Sequence, residues 1–136
     1  MMNPIVLPFP PSVNSYYRSI RMGKSCRVLI SKRGREYRQA VIDLIAKLVH
    51  DDPAYQGLFP FVQRLGMTVT LNAPTRRKYD VDNMGKALLD SLGCNGARVY
   101  EDDEQIDELT LKRGDIIKGG QAIVNIYWMP EQEEEN

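Results

Sequence analysis

One amphipathic segment, residues 35–50 (REYRQAVIDLIAKLVH), limits the folds open to this chain more than any other. Its apolar residues recur at the spacing of one helical face, namely at Tyr37, Val41, Leu44, Ile45 and Leu48. Ser31 precedes the segment where an N-terminal cap belongs, because a serine hydroxyl can accept a hydrogen bond from an amide of the first turn. The pattern predicts a long helix with one face on a core and the other in solvent.

Alternating segments elsewhere in the chain can supply the layer beneath this helix. Residues 64–73, RLGMTVTLNA, alternate as a half-buried strand does, with one side formed by Leu65, Met67, Val69 and Leu71. Four more strands are predicted, the last two of them paired as a hairpin, at 4–9, 26–31, 106–114 and 121–129. A second helix is predicted over residues 83–92, with Gly93 just past its end.

The resulting order of elements is ββαβαββ. Long strands with two main helices favour an α+β fold, in which helices cover one face of a mixed sheet in a two-layer single domain. A length of 136 residues, 43% of them hydrophobic, is enough for one core. We place the domain at residues 1–130 and expect the acidic tail 131–136, EQEEEN, to be disordered.

Several classes of protein are disfavoured by composition. No window approaches the roughly 18 consecutive apolar residues of a membrane span, so we expect a cytoplasmic protein without membrane contact. Cys26 and Cys94 do not form a C-x-x-C pair, and His50 is the single histidine. We therefore expect no thiolate or histidine-rich metal site, no Ser-His-Asp triad and no small-molecule cofactor.

Charge is distributed unevenly although the formal net charge is zero. Residues 1–50 contain nine Lys or Arg against two acids, Glu36 and Asp43. Eight of the basic residues lie in one short stretch: Arg18, Arg21, Lys24, Arg27, Lys32, Arg33, Arg35 and Arg38. This density suits contact with phosphates, and the alternative is a solvated basic face.

Acidic residues meet basic ones in residues 76–93, RRKYDVDNMGKALLDSLG. If the segment is extended, Asp80 and Asp82 share a face and can bind Mg²⁺, which is typically held by one or two carboxylates and phosphate oxygens. The alternative is structural, with Asp82 as a helix cap and Lys86 in an ordinary i,i+4 ion pair with it. More acids crowd into residues 100–107, YEDDEQID, where repulsion requires a cation or basic neighbours to offset it.

Four segments, taken in order, resemble motifs of the RusA family of Holliday junction resolvases. They are LPFPPSVNSYYR, ISKRGREYRQAV, DVDNMGKALLDSL and YEDDEQI, beginning at Leu7, Ile30, Asp80 and Tyr100. The third resembles the family's Asp-x-Asp-Asn-x-x-Lys motif and the fourth its Asp-Asp-x-Gln segment. Their order and approximate separations agree with the family pattern.

The resemblance implies a magnesium-dependent endonuclease, with Mn²⁺ as a substitute ion. Such an enzyme acts as a homodimer and resolves four-way DNA junctions by symmetric phosphodiester hydrolysis in recombination and repair. It implies three residues that bind metal and are catalytic, Asp80, Asp82 and Asp103, with Lys86 as a catalytic cation. Asp103 is chosen over Asp102 by aligning DDEQ with the family segment. Residues expected to contact DNA are Asn14, Tyr17, Arg18, Arg33, Arg35, Arg76, Arg77, Lys78 and Asn83.

Two other classes compete with this interpretation. A non-catalytic protein that binds junction or duplex DNA would use the acids as caps and ion pairs. A nucleotide-sugar transferase would use Asp-x-Asp to hold a metal and a diphosphate, but the chain is short for that fold. Aromatic residues near the basic stretch could stack on unpaired bases or simply pack in the fold, namely Phe9, Tyr16 and Tyr17.

Overall fold

The predicted amphipathic helix is the longest element of a computed structural model that describes residues 3–130. It spans Lys32–Asp51 (α2), and the Ser31 hydroxyl caps it by accepting a hydrogen bond from the Gly34 amide at 3.0 Å. Tyr37, Val41 and Ile45 of its apolar stripe are buried, and Leu44 and Leu48 pack at the edge of the core. The predictions for this helix and its cap are confirmed.

Besides three short 3-10 turns, residues 3–130 contain two further helices and six strands. A one-turn helix α1 (Val13–Tyr16) precedes α2, and α3 (Gly85–Leu92) matches the second predicted helix. The strands are β1 (Ile5–Leu7), β2 (Tyr17–Met22), β3 (Ser25–Ile30), β4 (Leu65–Asn72), β5 (Ile106–Arg113) and β6 (Gln121–Trp128).

Within residues 3–130, four strands form a mixed sheet in the order β1-β6-β4-β5. The central strand β4 is antiparallel to β6 and parallel to β5. Register places Ile5 opposite Val124 and Val124 opposite Val69, so these three buried side chains form one row across the sheet. Helices α2 and α3 complete the core with side chains that include Val41, Ile45, Ala87, Leu88 and Leu92. The predicted α+β, two-layer architecture is confirmed.

The predicted hairpin between the last two strands is wrong, because β4 lies between β5 and β6. All eight residues of β4 are buried or partly buried, whereas β5 is largely exposed. The more apolar strand therefore takes a central position and the more polar strand takes an edge.

Strand β2 was not predicted from the sequence. It pairs with β3 in a separate two-stranded sheet whose turn contains Gly23 at φ +62°. Most side chains of this hairpin are exposed, so neither strand needs the apolar alternation that reveals a half-buried strand. We call this element, residues 17–30, the basic hairpin, because it carries Arg18, Arg21, Lys24 and Arg27.

Other expectations concern the membrane and the chain's end. No helix among residues 3–130 has the length and apolar character needed to cross a membrane. Cys26 and Cys94 are exposed free thiols. The predicted disorder of residues 131–136 lies outside the described part of the chain.

Gly34→Ala should destabilise the fold. A Cβ at Gly34 would lie 2.5 Å from the Tyr16 carbonyl oxygen and 2.8 Å from Ile30 Cγ2, so the start of α2 would have to move away from the basic hairpin. We expect a loss of about 1–3 kcal/mol in the free energy of unfolding, measured by urea denaturation. Lys47→Ala, on the exposed face of the same helix, is the control and should stay within about 0.5 kcal/mol of the unmodified protein. Equal stability of the two variants would contradict the close packing at Gly34.

Candidate active site

The segment after β4 leads through residues 73–80 into a 3-10 turn, Val81–Met84, and then into α3. Asp80 has an extended backbone, with φ −91° and ψ 127°, but Asp82 lies inside the turn. The condition under which both carboxylates would share a face, an extended Asp80–Val81–Asp82 segment, is therefore not met. The rule that side chains two residues apart in a strand share a face therefore does not apply to Asp80 and Asp82.

The structural alternative for these carboxylates is also wrong. Asp80 occupies the N-cap position of the 3-10 turn, but its side chain makes no capping hydrogen bond. The residue at the N-cap of α3 is Met84, not Asp82. Neither carboxylate pairs with a basic side chain of residues 3–130, and both residues are exposed. Local structure therefore leaves both carboxylates open to a ligand.

An open pocket of about 500 Å³ gathers several of the predicted residues on one surface. Its wall includes prolines of the segment before α1, and Met84 also lines it. Six residues predicted to bind DNA or metal line it: Asn14, Arg33, Arg77, Lys78, Asp80 and Asn83. We call this the basic pocket, since three cationic side chains and one carboxylate line it.

The loop that carries Arg77 and Lys78 is held by an aromatic residue. Tyr79 packs edge-to-face on Phe9, with ring centroids 5.6 Å apart. The Arg113 guanidinium lies 4.1 Å from the centroid of the Tyr79 ring and donates a hydrogen bond to the Tyr79 carbonyl oxygen at 2.9 Å. Arg113, at the end of β5, was missed in the sequence, where nothing distinguishes it from another strand-terminal cation.

A second group of charged side chains lies on α3. Lys86 Nζ is 3.1 Å from Asp90 Oδ1, so the predicted ion pair with Asp82 is wrong. The physical reason is that Asp82 belongs to the 3-10 turn, whereas Asp90 lies one helical turn further along α3. Asp90 was missed in the sequence, although its i,i+4 spacing from Lys86 was visible.

Tyr17 closes the other side of Asp90. Its hydroxyl donates to Asp90 Oδ2 at 2.9 Å. Burial and this hydrogen bond raise the pKa of Tyr17 to about 12, so the hydroxyl stays protonated at neutral pH. We call Tyr17, Lys86 and Asp90 the lysine clamp.

Asp103 and Asp102 have different surroundings despite being neighbours. The Asp102 carboxylate caps a 3-10 turn, Asp103–Gln105, by accepting a hydrogen bond from the Glu104 amide at 3.0 Å. Burial and then the charge of Asp90 raise the pKa of Asp103, while Lys86 acts in the opposite direction. A Cβ at Gly93 would lie 3.3 Å from Asp103 Oδ1, so this glycine allows the carboxylate to approach the end of α3 closely.

Gln105 anchors the acidic turn to the core. Its side-chain oxygen accepts from the amides of Glu101 and Asp102, both at 2.9 Å. Its amide nitrogen donates to the carbonyl oxygens of Phe61 at 2.9 Å and Gln63 at 3.0 Å. The side chain is buried and makes four hydrogen bonds, which fixes the position from which Asp103 projects.

The other residues predicted to contact DNA are dispersed around these groups. Arg18 is exposed on the basic hairpin, and Arg76 lines a smaller neighbouring pocket with Arg113. Arg35 folds back on the hairpin, where its Nη1 donates to the Ile30 carbonyl oxygen at 2.9 Å. Tyr16 is fully buried, so it packs in the fold rather than presenting a face for base stacking.

The three predicted metal ligands are not gathered into one cluster. Among residues 3–130, no group of three or more His, Cys, Asp or Glu side chains is placed to hold a metal ion together. Asp80 lines the basic pocket, Asp103 lies beside the lysine clamp, and Asp82 stands between them in the chain. Along the chain, the 3-10 turn that carries Asp82 lies between Asp80 of the basic pocket and Lys86 of the lysine clamp.

Comparison with known proteins gives a consistent result. Residues 8–127 match the family model described as endodeoxyribonuclease RusA. A crossover junction endodeoxyribonuclease of Enterobacteria phage HK97 is 37% identical over 121 residues, which are 89% of this chain and 90% of the phage protein. The RusA protein of Escherichia coli K12 is 32% identical over 125 residues, and that of Enterobacteria phage 82 is 33% identical over 125 residues. These two alignments each cover 92% of this chain and 93% of the relative.

Fold and site define a small α+β protein with exposed carboxylates bordered by basic side chains. The family match covers most of the described residues, including the basic pocket and the lysine clamp. The chain belongs to the RusA endodeoxyribonuclease family.

Gln105→Ala should unfold the acidic turn and lower stability. Four backbone groups lose their partner, and the change should cost about 2–4 kcal/mol because unsatisfied buried polar groups are expensive. Chemical denaturation measures the loss, and hydrogen exchange of the Glu101 and Asp102 amides should accelerate. Gln105→Glu is the matched control. It keeps an acceptor for both amides but places an oxygen against the Phe61 and Gln63 carbonyls. The Glu101 and Asp102 amides should therefore stay largely protected from hydrogen exchange, while the free energy of unfolding still falls. Unchanged stability in Gln105→Ala would contradict the anchoring role.

Proposed function

We propose that this protein is a divalent-metal-dependent endonuclease that resolves four-way DNA junctions. The observation that carries the proposal is the basic pocket, which Asp80, exposed and without an ion-pair partner among residues 3–130, lines together with Arg33, Arg77 and Lys78. The Asp80 side chain makes no capping hydrogen bond, so its carboxylate is available to a metal ion that also contacts a phosphate held by these cations. The printed names of the relatives, crossover junction endodeoxyribonucleases, support DNA junctions as the substrate.

The metal in this proposal is Mg²⁺, with Mn²⁺ as a substitute, held by Asp80, Asp82 and Asp103. The donors fit, because hard cations prefer carboxylate oxygens and Mg²⁺ usually completes its shell with water and phosphate oxygens rather than a closed protein cage. Burial and then the like charge of Asp90 raise the pKa of Asp103, and a bound cation would offset that like charge. When bound, the ion would neutralise charge on the scissile phosphate and activate water for attack.

The protein's own side chains have two tasks in this reaction. Arg33, Arg77 and Lys78 hold the DNA backbone near Asp80, with Asn14 and Asn83 as neutral donors on the same wall. Lys86 stabilises the negative charge that increases on the phosphoryl oxygens as water attacks and the phosphorus–oxygen ester bond breaks. Asp103 fits the third carboxylate better than Asp102, because the Asp102 side chain is already used as a cap.

The basic hairpin extends the DNA-binding surface beyond the pocket. Its exposed strands carry Arg18, Arg21, Lys24 and Arg27, and a two-stranded ribbon has dimensions that suit a DNA groove. With Arg35 and Arg76 it would contribute phosphate contacts without reading bases. The Tyr17 hydroxyl donates to Asp90 at the base of the hairpin and supports this element, while the partly exposed ring is the proposed DNA contact of this residue.

Symmetric cutting of a junction requires two identical sites related by a two-fold axis, so the proposed functional unit is a homodimer. The proposed location is the cytoplasm, where reduced Cys26 and Cys94 and access to DNA are both expected. The proposed role is in recombination and repair, with domain limits at residues 1–130.

A non-catalytic DNA-binding protein is the second candidate. The observation that favours it is the lack of a three-carboxylate group among residues 3–130. One assay separates the two: incubation with a labelled four-way junction and a linear duplex, with and without Mg²⁺. Metal-dependent, paired cuts in the junction support the endonuclease, and binding without any cut supports the alternative.

Asp80→Asn, Asp82→Asn and Asp103→Asn should each abolish junction cutting while leaving junction binding intact or tighter. Each change removes a metal ligand and a negative charge close to DNA. Single-turnover cleavage and gel-shift titration measure the two effects. Asp102→Asn is the matched control and should retain cutting, since this side chain caps a turn. Rates within threefold of the unmodified protein in the Asp80 and Asp82 variants would exclude the metal site.

Replacing a phosphate-binding arginine should weaken binding to every DNA sequence alike. For Arg18→Gln, Arg33→Gln or Arg77→Gln, the slope of log affinity against log salt should fall by roughly one unit per lost contact. Arg64→Gln is the control, because Arg64 is paired with Glu104 and Asp107 away from the basic pocket. A variant that keeps the full salt dependence has lost no phosphate contact.

A further inference from the structure

We propose that Asp90 is a positioning residue for Lys86 and that Tyr17 holds Asp90 in place for this task. The inference rests on the proposed function, because it concerns how the catalytic cation of that site is oriented. It assigns a role to a carboxylate that the sequence interpretation left out.

The geometry of the lysine clamp uses both oxygens of one carboxylate. Asp90 Oδ1 faces Lys86 Nζ at 3.1 Å, and Oδ2 accepts the Tyr17 hydroxyl at 2.9 Å. A carboxylate fixed at both oxygens has little rotational freedom, so it defines where the ammonium group sits. Tyr17 itself is fixed, since its ring packs edge-to-face on buried Tyr16 with centroids 4.8 Å apart.

Burial distinguishes this contact from an ordinary surface ion pair on a helix. The Asp90 side chain is 20% exposed and that of Lys86 is 48% exposed. In the i,i+4 pair of α2, the side chains of Lys32 and Glu36 are 85% and 65% exposed and 3.8 Å apart. The lysine clamp therefore has a covered anchor and an accessible ammonium, which is the arrangement needed to present a charge to a bound phosphate.

A second carboxylate near Lys86 explains why the position of the ammonium group has to be fixed. Lys86 has two carboxylates near it, Asp90 and Asp103, and an unanchored lysine could swing between them. If Lys86 paired closely with Asp103, it would occupy a carboxylate proposed to bind metal. Asp90 keeps the ammonium on α3 and leaves Asp103 available to the cation.

Tyr17 also connects this arrangement to the DNA-binding surface. It is the first residue of β2, directly before Arg18 on the basic hairpin. The hydrogen bond from Tyr17 to Asp90 thus joins the base of the hairpin to α3. Placement of Lys86 depends on a contact made between these two elements.

A kinetic double-mutant cycle tests the inference, using Asp90→Asn, Lys86→Ala and the double variant in the full-length protein. Asp90→Asn keeps the shape but replaces the ion pair by a weaker neutral contact. We expect single-turnover cutting at saturating Mg²⁺ to slow about tenfold or more, in the range of lost electrostatic contacts at active sites. Tyr17→Phe should slow it about threefold to tenfold through loss of one hydrogen bond.

The cutting rate of the double variant shows whether Asp90 acts through Lys86. If Asp90 acts through Lys86, Asp90→Asn should change the rate of Lys86→Ala by less than about twofold, because coupled residues are not additive. Affinity for the junction without divalent metal should remain within about threefold of the unmodified protein in Asp90→Asn, Lys86→Ala and the double variant. Matched controls are Glu36→Gln, from the exposed pair on α2, and Tyr127→Phe, whose hydroxyl contacts Glu108 at 3.0 Å. Both controls should cut normally.

A spectroscopic measurement provides a readout independent of cutting. The ammonium signal of Lys86, identified by its loss in Lys86→Ala, should shift and exchange faster with water in Asp90→Asn and Tyr17→Phe. It should be unchanged in Glu36→Gln. An ammonium signal that does not respond to Asp90→Asn would overturn the inference.

Other outcomes also overturn it, and they differ from a failure of the proposed function. Independent, multiplicative losses in the double variant would show that Asp90 acts without Lys86. A raised Mg²⁺ requirement with a normal saturating rate in Asp90→Asn would make Asp90 a metal ligand instead. Normal cutting by Lys86→Ala would leave the endonuclease intact but remove the positioning role. If the unmodified protein cuts no junction with Mg²⁺ or Mn²⁺, the proposed function fails first and the inference fails with it.

Discussion

The contact between the start of α2 and the turn before the basic hairpin is the constraint on which the site depends. The Ser31 hydroxyl donates to the Ser15 carbonyl oxygen at 2.5 Å and accepts from Gly34, and the Ser31 amide donates to the Tyr16 carbonyl oxygen at 2.8 Å. Absence of a side chain at Gly34 lets the two backbones approach. One serine therefore begins a helix and also fixes the segment that leads to Asn14 and Tyr17. Arg33, on the first turn of α2, is placed against the basic pocket by the same contact.

Some charged side chains in this protein have a hydrogen-bond or ion-pair partner within the fold, and others do not. Asp102 caps a turn, and Arg64 is held by Glu104 and Asp107, whose pKa is lowered by the hydrogen bond from Arg64. Asp80 and Asp82 have no such partner among residues 3–130, although cations are near in sequence. Pairing an exposed carboxylate contributes little to stability, so an unpaired one needs no special explanation. The physical reason to look for a ligand is that Asp80 lines the basic pocket together with three cationic side chains.

Sequence patterns were most informative where burial dictates the side chains. The stripe on α2 and the alternation on β4 both follow from contact with the core, and both were predicted with nearly correct bounds. Strand β2 escaped prediction because an exposed hairpin imposes no apolar period. The position of β4 between β5 and β6 was not predicted, because strands that are consecutive in the chain were expected to pair as a hairpin. In the sheet, the strand with the most apolar surface to bury takes the central position instead.

The candidate site shows the same division. Motif order predicted Asp80, Asp82, Asp103 and Lys86 as site residues, and six of the residues predicted to bind DNA or metal line the basic pocket. The relative placement of Asp80 and Asp82 could not be deduced, because the sequence does not distinguish an aspartate in a 3-10 turn from one in an extended segment. The partner of Lys86 depended on where α3 begins, a boundary shifted by two residues from the predicted one. Gln105 and Arg113 form hydrogen bonds with backbone groups, and such contacts cannot be read from a pattern of residue types.

Strand β6 lies between β1 and β4, so residues near the two ends of the described chain are neighbours in the sheet. Ile5 is paired with Val124, a contact that must close a loop of most of the chain. Such long-range pairing slows folding, and during synthesis the sheet cannot be completed until β6 has left the ribosome. The loop after β4 and the turn carrying Asp82 would have no finished sheet behind them until then. Assembly of the candidate site is thereby delayed until β6 is available, so a chain that lacks β6 has no complete sheet to support the turn that carries Asp82.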